Sequence, residues 1–244
     1  MPNVLLVNSF DTARSLGPNP DRATPGSVRD WFRDNYLPVR RGSFNYDPAA
    51  YATYDLFRGA SKASEAINYC LTNGNPKGRE QNANAIRCIA EYAESQVSTC
   101  YLTGFTAVEV GRTRGKTVYV GIKSPFVRVV HDEALVVQPF YRLGFRPSGA
   151  ELDTVCSIAL AHFARDDFAD ADIELVCAGP DGNGGRELQI VRGRDREVPP
   201  VDVLDRYLDT YVKAIGLLID DGVEVTAPNF RGYRVYSPDQ GTFF

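Results

Sequence analysis

CYLTGFTAVEVGRTRGKTVYVGIKSPFVRVVHDEALVVQPFY, residues 100–141, carries the strongest evidence for the fold class. Its segments 100–110 and 116–122 are rich in Val, Tyr, Thr and Ile, the side chains that suit a pleated, half-buried surface. Between them lies Gly111-Arg112-Thr113-Arg114-Gly115, a turn with glycine at both ends. A second pair, Phe126 to Val130 and Ala134 to Tyr141, flanks His131-Asp132-Glu133. Links this short cannot hold a crossover, so an antiparallel meander of about four strands is expected.

Upstream, the period changes from two to 3.6. Leu56, Ala60, Ala63, Ile67 and Leu71 recur at helical steps after Asp47-Pro48, which supply an N-cap acid and a first-turn proline, and the stripe stops at Asn73-Gly74. Asn75-Pro76 repeats the start signal, and Ala83, Ile86, Ala90, Ala93 and Val97 continue it, giving an antiparallel helical hairpin. Earlier still, Val28, Trp31 and Phe32 share one face of a short helix that Pro38 ends. The segment Ser15 to Gly26, dense in Pro and Gly, reads as loop, and Val4 to Val7 reads as a strand or packed arm.

Downstream, Ser148 and Glu151 form a capping box before Leu152, Val155, Cys156, Ala159 and Phe163. Two strand candidates, Ile173 to Cys177 and Leu188 to Val191, follow. Then comes the clearest amphipathic helix, with Leu204, Leu208, Tyr211, Ile215 and Leu218 on one side and Gly222 at its end. The expected fold is one α+β domain over 1–244: a mainly helical part (1–98), an antiparallel sheet of about four to six strands with two further covering helices (99–222), and an aromatic extension (223–244).

Of the 244 residues, 43% are hydrophobic and 24% charged, which excludes disorder and fibrous classes. No apolar run approaches the roughly 20 residues of a membrane span. Cys70, Cys88, Cys100, Cys156 and Cys177 show no CxxC spacing, so buried free thiols and a reducing, cytoplasmic address are expected rather than a metal site. The net charge of −4 divides unevenly: residues 1–125 hold 15 basic and 11 acidic side chains, residues 126–244 hold 12 and 20. Only five of the 27 basic residues are Lys, and arginine is the better bidentate partner for phosphate.

Two arginine-aromatic clusters stand out. Arg29, Arg33, Arg40 and Arg41 lie around Trp31, Phe32, Tyr36 and Phe44. Arg231 and Arg234 alternate with Phe230, Tyr233 and Tyr236 near the other end. Guanidinium groups hold phosphates and rings stack on bases, so both are candidate surfaces for a nucleic acid or protein partner. Packing of the C-terminal rings on their own domain is the simpler expectation for them.

The candidates for catalysis are Asp172 and Glu174 with Glu187 and Gln189 on the next strand. Carboxylates on adjacent strand ends hold Mg²⁺ beside a scissile phosphate, and the helix–strand–strand–helix order resembles part of the restriction-enzyme-like nuclease core, with Glu151 as a possible helical ligand. However, Gln189 stands where that chemistry needs a lysine. His131-Asp132-Glu133 reads as a hairpin turn and His162 with Asp166 as an ordinary helical pair. The loop from Gly179 to Gly185 fits neither a P-loop nor an EF-hand.

With two histidines and no intact nucleophile or metal motif, the expectation is a non-enzymatic binding or accessory protein, without cofactor, offering Arg and aromatic surfaces to a macromolecule or a second copy. A divergent Mg²⁺-dependent nuclease is the alternative.

Overall fold

Strands on either side of Ile122 go to different sheets. The structure is a computed structural model, and it describes residues 3–38, 45–123, 126–164 and 169–236. Within these, β1 (Leu6–Asn8), β4 (Lys116–Ile122), β3 (Phe105–Thr113) and β9 (Tyr233–Tyr236) form a four-stranded sheet in that order. β2 (Thr99–Leu102), β5 (Phe126–Val130), β6 (Glu133–Phe140), β7 (Asp172–Pro180) and β8 (Arg186–Arg192) form a five-stranded one. The α+β class therefore holds, with the strands shared between two mixed sheets.

Both expected hairpins are present, β3–β4 and β5–β6, each antiparallel, but segment 100–110, expected as one strand, is divided between β2 and β3 in different sheets. They do not join into one meander: β4 pairs with β1 and β3, whereas β5 pairs with β2 and β6. Three pairs are parallel: β1–β4, β3–β9 and β6–β7. The last is a strand–helix–strand unit whose crossover is α6 (Gly149–Phe163), a topology that short connections elsewhere in the sequence conceal.

Helices cover the five-stranded sheet on both faces. Phe126, Val137 and Val176 pack against Leu56 and Phe57 of α3 (Asp47–Phe57) and Ile86 and Ile89 of α5 (Arg79–Ser95). On the reverse face Phe140, Ile173 and Leu175 meet Val155 and Ala159 of α6 and Phe10 and Ala13 of α1 (Ser9–Leu16). Among the described residues, the second late helix, α7 (Val201–Asp220), covers one face of the four-stranded sheet: Val118, Val120 and Ile122 lie against Tyr211, Ile215 and Leu218, with Val28 of α2 (Pro25–Trp31). The two covering helices thus serve different sheets.

Local departures have local causes. The stripe from 47 to 73 is two helices, α3 and α4 (Ala63–Thr72), because Gly59 takes φ +69° and turns the chain. α1 starts where Asn8 caps Asp11 N–H, and it occupies part of a stretch expected to be loop. α2 is capped by Thr24, with Ser27, the third helical residue, bonding back to it. The Ser148–Glu151 capping box is formed as expected. Among the described residues no helix is long and apolar enough to cross a membrane.

Candidate functional site

Alternation along β7 and β8 decides the fate of the four acidic-hairpin candidates. Val176 and Ala178 face the α3–α5 layer, as do Leu188 and Ile190, so Glu174 lies on that face while Glu187 and Gln189 lie on the other. Register adds distance: Glu174 opposes Arg192, whereas Glu187 opposes Gly179 near the far end of the hairpin. Glu174 is fully buried, accepts two bonds from the Arg128 guanidinium at 2.9 and 2.8 Å, and takes a third from the Tyr92 hydroxyl at 2.6 Å. Glu187 and Gln189 both bind Arg146.

Asp172 shares Arg192 with Glu174, at 3.8 and 3.2 Å, and lies apart from Glu187 and Gln189. It accepts the backbone N–H of Arg194 at 3.1 Å and that residue's Nε at 3.2 Å, on the wall of an open groove of about 440 Å³ that also includes Glu133, Asp170 and Arg196. Burial holds the Asp172 carboxyl above its ordinary value. Glu151 is spent on its own helix cap. The structure does not bring the four candidates together, and among the described residues no group of three or more His, Cys, Asp or Glu side chains is placed to hold a metal ion.

The N-terminal arginines are occupied. Arg29 pairs with Asp30 at 2.7 Å and Asp221 at 3.7 Å, and Arg33 pairs with Asp221 at 3.1 Å. Phe32 is fully buried against Tyr211. Arg40 and Arg41 lie outside the described residues, as does Asp166 of the His162 pair. His131 and Asp132 do form a turn, both with positive φ.

The C-terminal cluster is different. β9 docks in parallel on β3, with Tyr233 beside Phe105 and Tyr236 beside Val108, so this segment packs on its own domain. Tyr236 also meets His162 of α6 edge to face at 4.7 Å. Arg231 and Arg234 are exposed and have no ion-pair partner among the described residues.

What Arg231 borders was not anticipated. Because Val118, Val120 and Ile122 point at α7, Tyr119 and Lys123 point the other way, and Phe105 joins them from β3. Tyr233 lies 5.6 Å from Phe105, and Phe230 meets Tyr119 edge to face at 5.0 Å. All four rings are half-buried. Tyr233 fits because Gly121 leaves room: a Cβ there would sit 3.2 Å from the ring. Desolvation raises the Tyr233 hydroxyl to about 12, so it is a neutral donor at physiological pH.

Lys123 lies over Phe105, its Nζ 5.6 Å from the ring centre. Its side chain keeps exposed surface, yet its ammonium end sits among enough atoms for desolvation to hold its pKa below the ordinary value, against the pull of Asp47. Glu109, on the same face, is neutralised by Arg112 at 3.1 Å. The face is thus a row of rings with Lys123 and Arg231 at its margin, while Arg234, paired with Thr106, alternates to the opposite face with Tyr236. The alternation of Val118, Val120 and Ile122 with Tyr119 was the available signal, and which parity lies open is detectable only once strand orientation is known.

No protein-family model matches the chain, and no curated protein matches it. Six solved chains do. One, described as "Crystal structure of SSO0001", is 11% identical with a TM-score of 0.39, covering 85% of this chain and 75% of that one. A likeness at this level carries no functional argument.

Proposed function

We propose that this is a binding protein and that the ring-bearing face of its four-stranded sheet takes single-stranded nucleic acid. The observation that carries the reading is the coincidence of Phe105, Tyr119, Phe230 and Tyr233 on the face turned away from α7, with the exposed Arg231 next to Phe230 in the chain. A half-exposed ring offers a base a stacking surface worth about 1–3 kcal/mol, whatever the base. The exposed Arg231 is placed to meet a phosphate, a contact that orients a strand without reading its sequence. Arg29 and Arg33 contribute little here, since binding would first have to break their contacts to Asp221.

The test is a titration of a labelled oligonucleotide of about twelve residues, single-stranded and duplex, at several salt concentrations. Saturable binding to the single strand is expected, weakened by salt and by the double substitution Tyr119→Ala/Arg231→Ala. Equal affinity for duplex, or a double variant that binds as the parent does, would sink the reading.

A further inference from the structure

Each sheet ends in two edge strands, and an edge strand presents unpaired N–H and C=O groups to any extended chain that meets it. Three of the four edges here are guarded. β1 holds the buried Val7 and follows the buried Val4 and Leu5. β8 carries Arg186, Glu187 and Arg192, and β9 carries Arg234, with Arg231 just before it. The fourth edge, β2, has no such protection. From Ser95 to Val108 the sequence contains no charged residue. Tyr101 is 59% exposed, Leu102 55% and the adjoining Val97 57%.

We propose that β2 pairs antiparallel with β2 of a second copy, joining two five-stranded sheets into one continuous sheet across a two-fold axis. The occupant follows from chemistry on both sides of the contact. A strand without charge gives no grip to a charged partner and no repulsion to itself. Pairing β2 with another copy's β8 or β9 would set Tyr101 and Leu102 against arginines and build an open chain instead of a closed dimer.

Side-chain alternation restricts the register further. Leu102 and Cys100 pair with Phe126 and Arg128, which face the α3–α5 layer, and Tyr101 pairs with Val127 on the opposite face. Opposed residues in an antiparallel pair point the same way, so the axis passes at Tyr101 or at Cys100 but not between them. Centring it on Tyr101 sets Leu102 against Cys100 of the second copy and covers the exposed apolar side chains together. Four residues per strand make an interface smaller than the roughly 800 Å² per partner of a standard complex, so a dissociation constant near the micromolar range is expected.

Sedimentation velocity on the full chain, from about 1 to about 100 µM, tests this. A concentration-dependent dimer is expected. Leu102→Lys should leave a monomer, whereas Val235→Lys on the β9 edge should leave the dimer intact. Amide exchange provides a check independent of any variant: β2 amides should gain protection as concentration rises. A parent chain monomeric throughout, a series growing beyond dimer, or β2 amides indifferent to concentration would each overturn the proposal.

Discussion

Arg128 and Glu174 meet through two hydrogen bonds of 2.9 and 2.8 Å with neither side chain reaching solvent. The pair bridges β5 and β7 across β6, and its other contacts are complete: Tyr92 and Arg192 also bind Glu174, while Arg128 bonds the Gln96 carbonyl and lies over Phe57. Removing one partner strands a charge where water cannot reach it.

Arg128→Met should therefore destabilise the fold by about 3–5 kcal/mol in urea denaturation. The double variant Arg128→Met/Glu174→Leu should recover part of that loss, because an apolar pair of similar volume needs no compensation. A single variant within 1 kcal/mol of the parent would contradict the argument.

The β5–β6 turn offers a gain. His131 and Asp132 have φ of +49° and +65°, the left-handed backbone of a two-residue hairpin that Asn-Gly adopts more readily. His131→Asn/Asp132→Gly should add about 1 kcal/mol and raise the midpoint of thermal unfolding by roughly 2–4 °C. An unchanged or lower midpoint would show that these side chains contribute something the turn geometry does not require.

Gly193 is needed for close approach rather than for backbone freedom. A Cβ there would lie 2.6 Å from Asp172 Oδ1 and 2.7 Å from Ile173 Cγ2. Gly193→Ala should cost about 1–3 kcal/mol and disturb the Arg194 N–H bond to Asp172 that forms the groove wall. Chemical shifts of the β7 amides would report the disturbance.

Asp172 predicts a pH dependence. Its carboxyl is raised by burial, so the folded chain holds that proton to higher pH than the unfolded chain does. The ionised form therefore costs stability above the folded pKa, and the cost disappears below the unfolded one. The stability of Asp172→Asn relative to the parent should shift in the variant's favour as pH rises through this window. A flat difference across the acidic range would remove Asp172 as its source.

For the sheet face, Arg29→Ala and Arg33→Ala should leave oligonucleotide affinity nearly unchanged, while Phe105→Ala and Tyr119→Ala each weaken it by the stacking increment of about 1–3 kcal/mol. Reversal of that order would move the binding surface to the N-terminal helix.

The β3–β4 and β5–β6 hairpins and most helices were legible from period and punctuation, because Gly115, Ser148 with Glu151, and Gly222 mark turns and ends locally. Sheet membership was not. Nothing near residue 122 states that β4 pairs with residues 6–8, and nothing near 233 states that β9 lies beside β3. These are long-range choices made by packing against α7 and α6. The clusters fared likewise: Arg29 and Arg33 resemble Arg231 and Arg234 in sequence, and the difference lies in Asp221, almost two hundred positions from either of them. Glu174 and Glu187 looked like neighbours until alternation placed them on opposite faces.

Asn3 donates to the carbonyls of Thr226 and Ala227, both at 3.2 Å, so the segment leading into β1 is clasped to the segment leading into β9. Together these segments supply both edges of the four-stranded sheet. In kinetic terms the contact closes a loop of more than two hundred residues, whereas the β5–β6 hairpin closes in two. Refolding should therefore complete the five-stranded sheet first and the ring-bearing face last. A single proteolytic cut between α7 and β9 would then unclasp both edges while sparing the Arg128–Glu174 core.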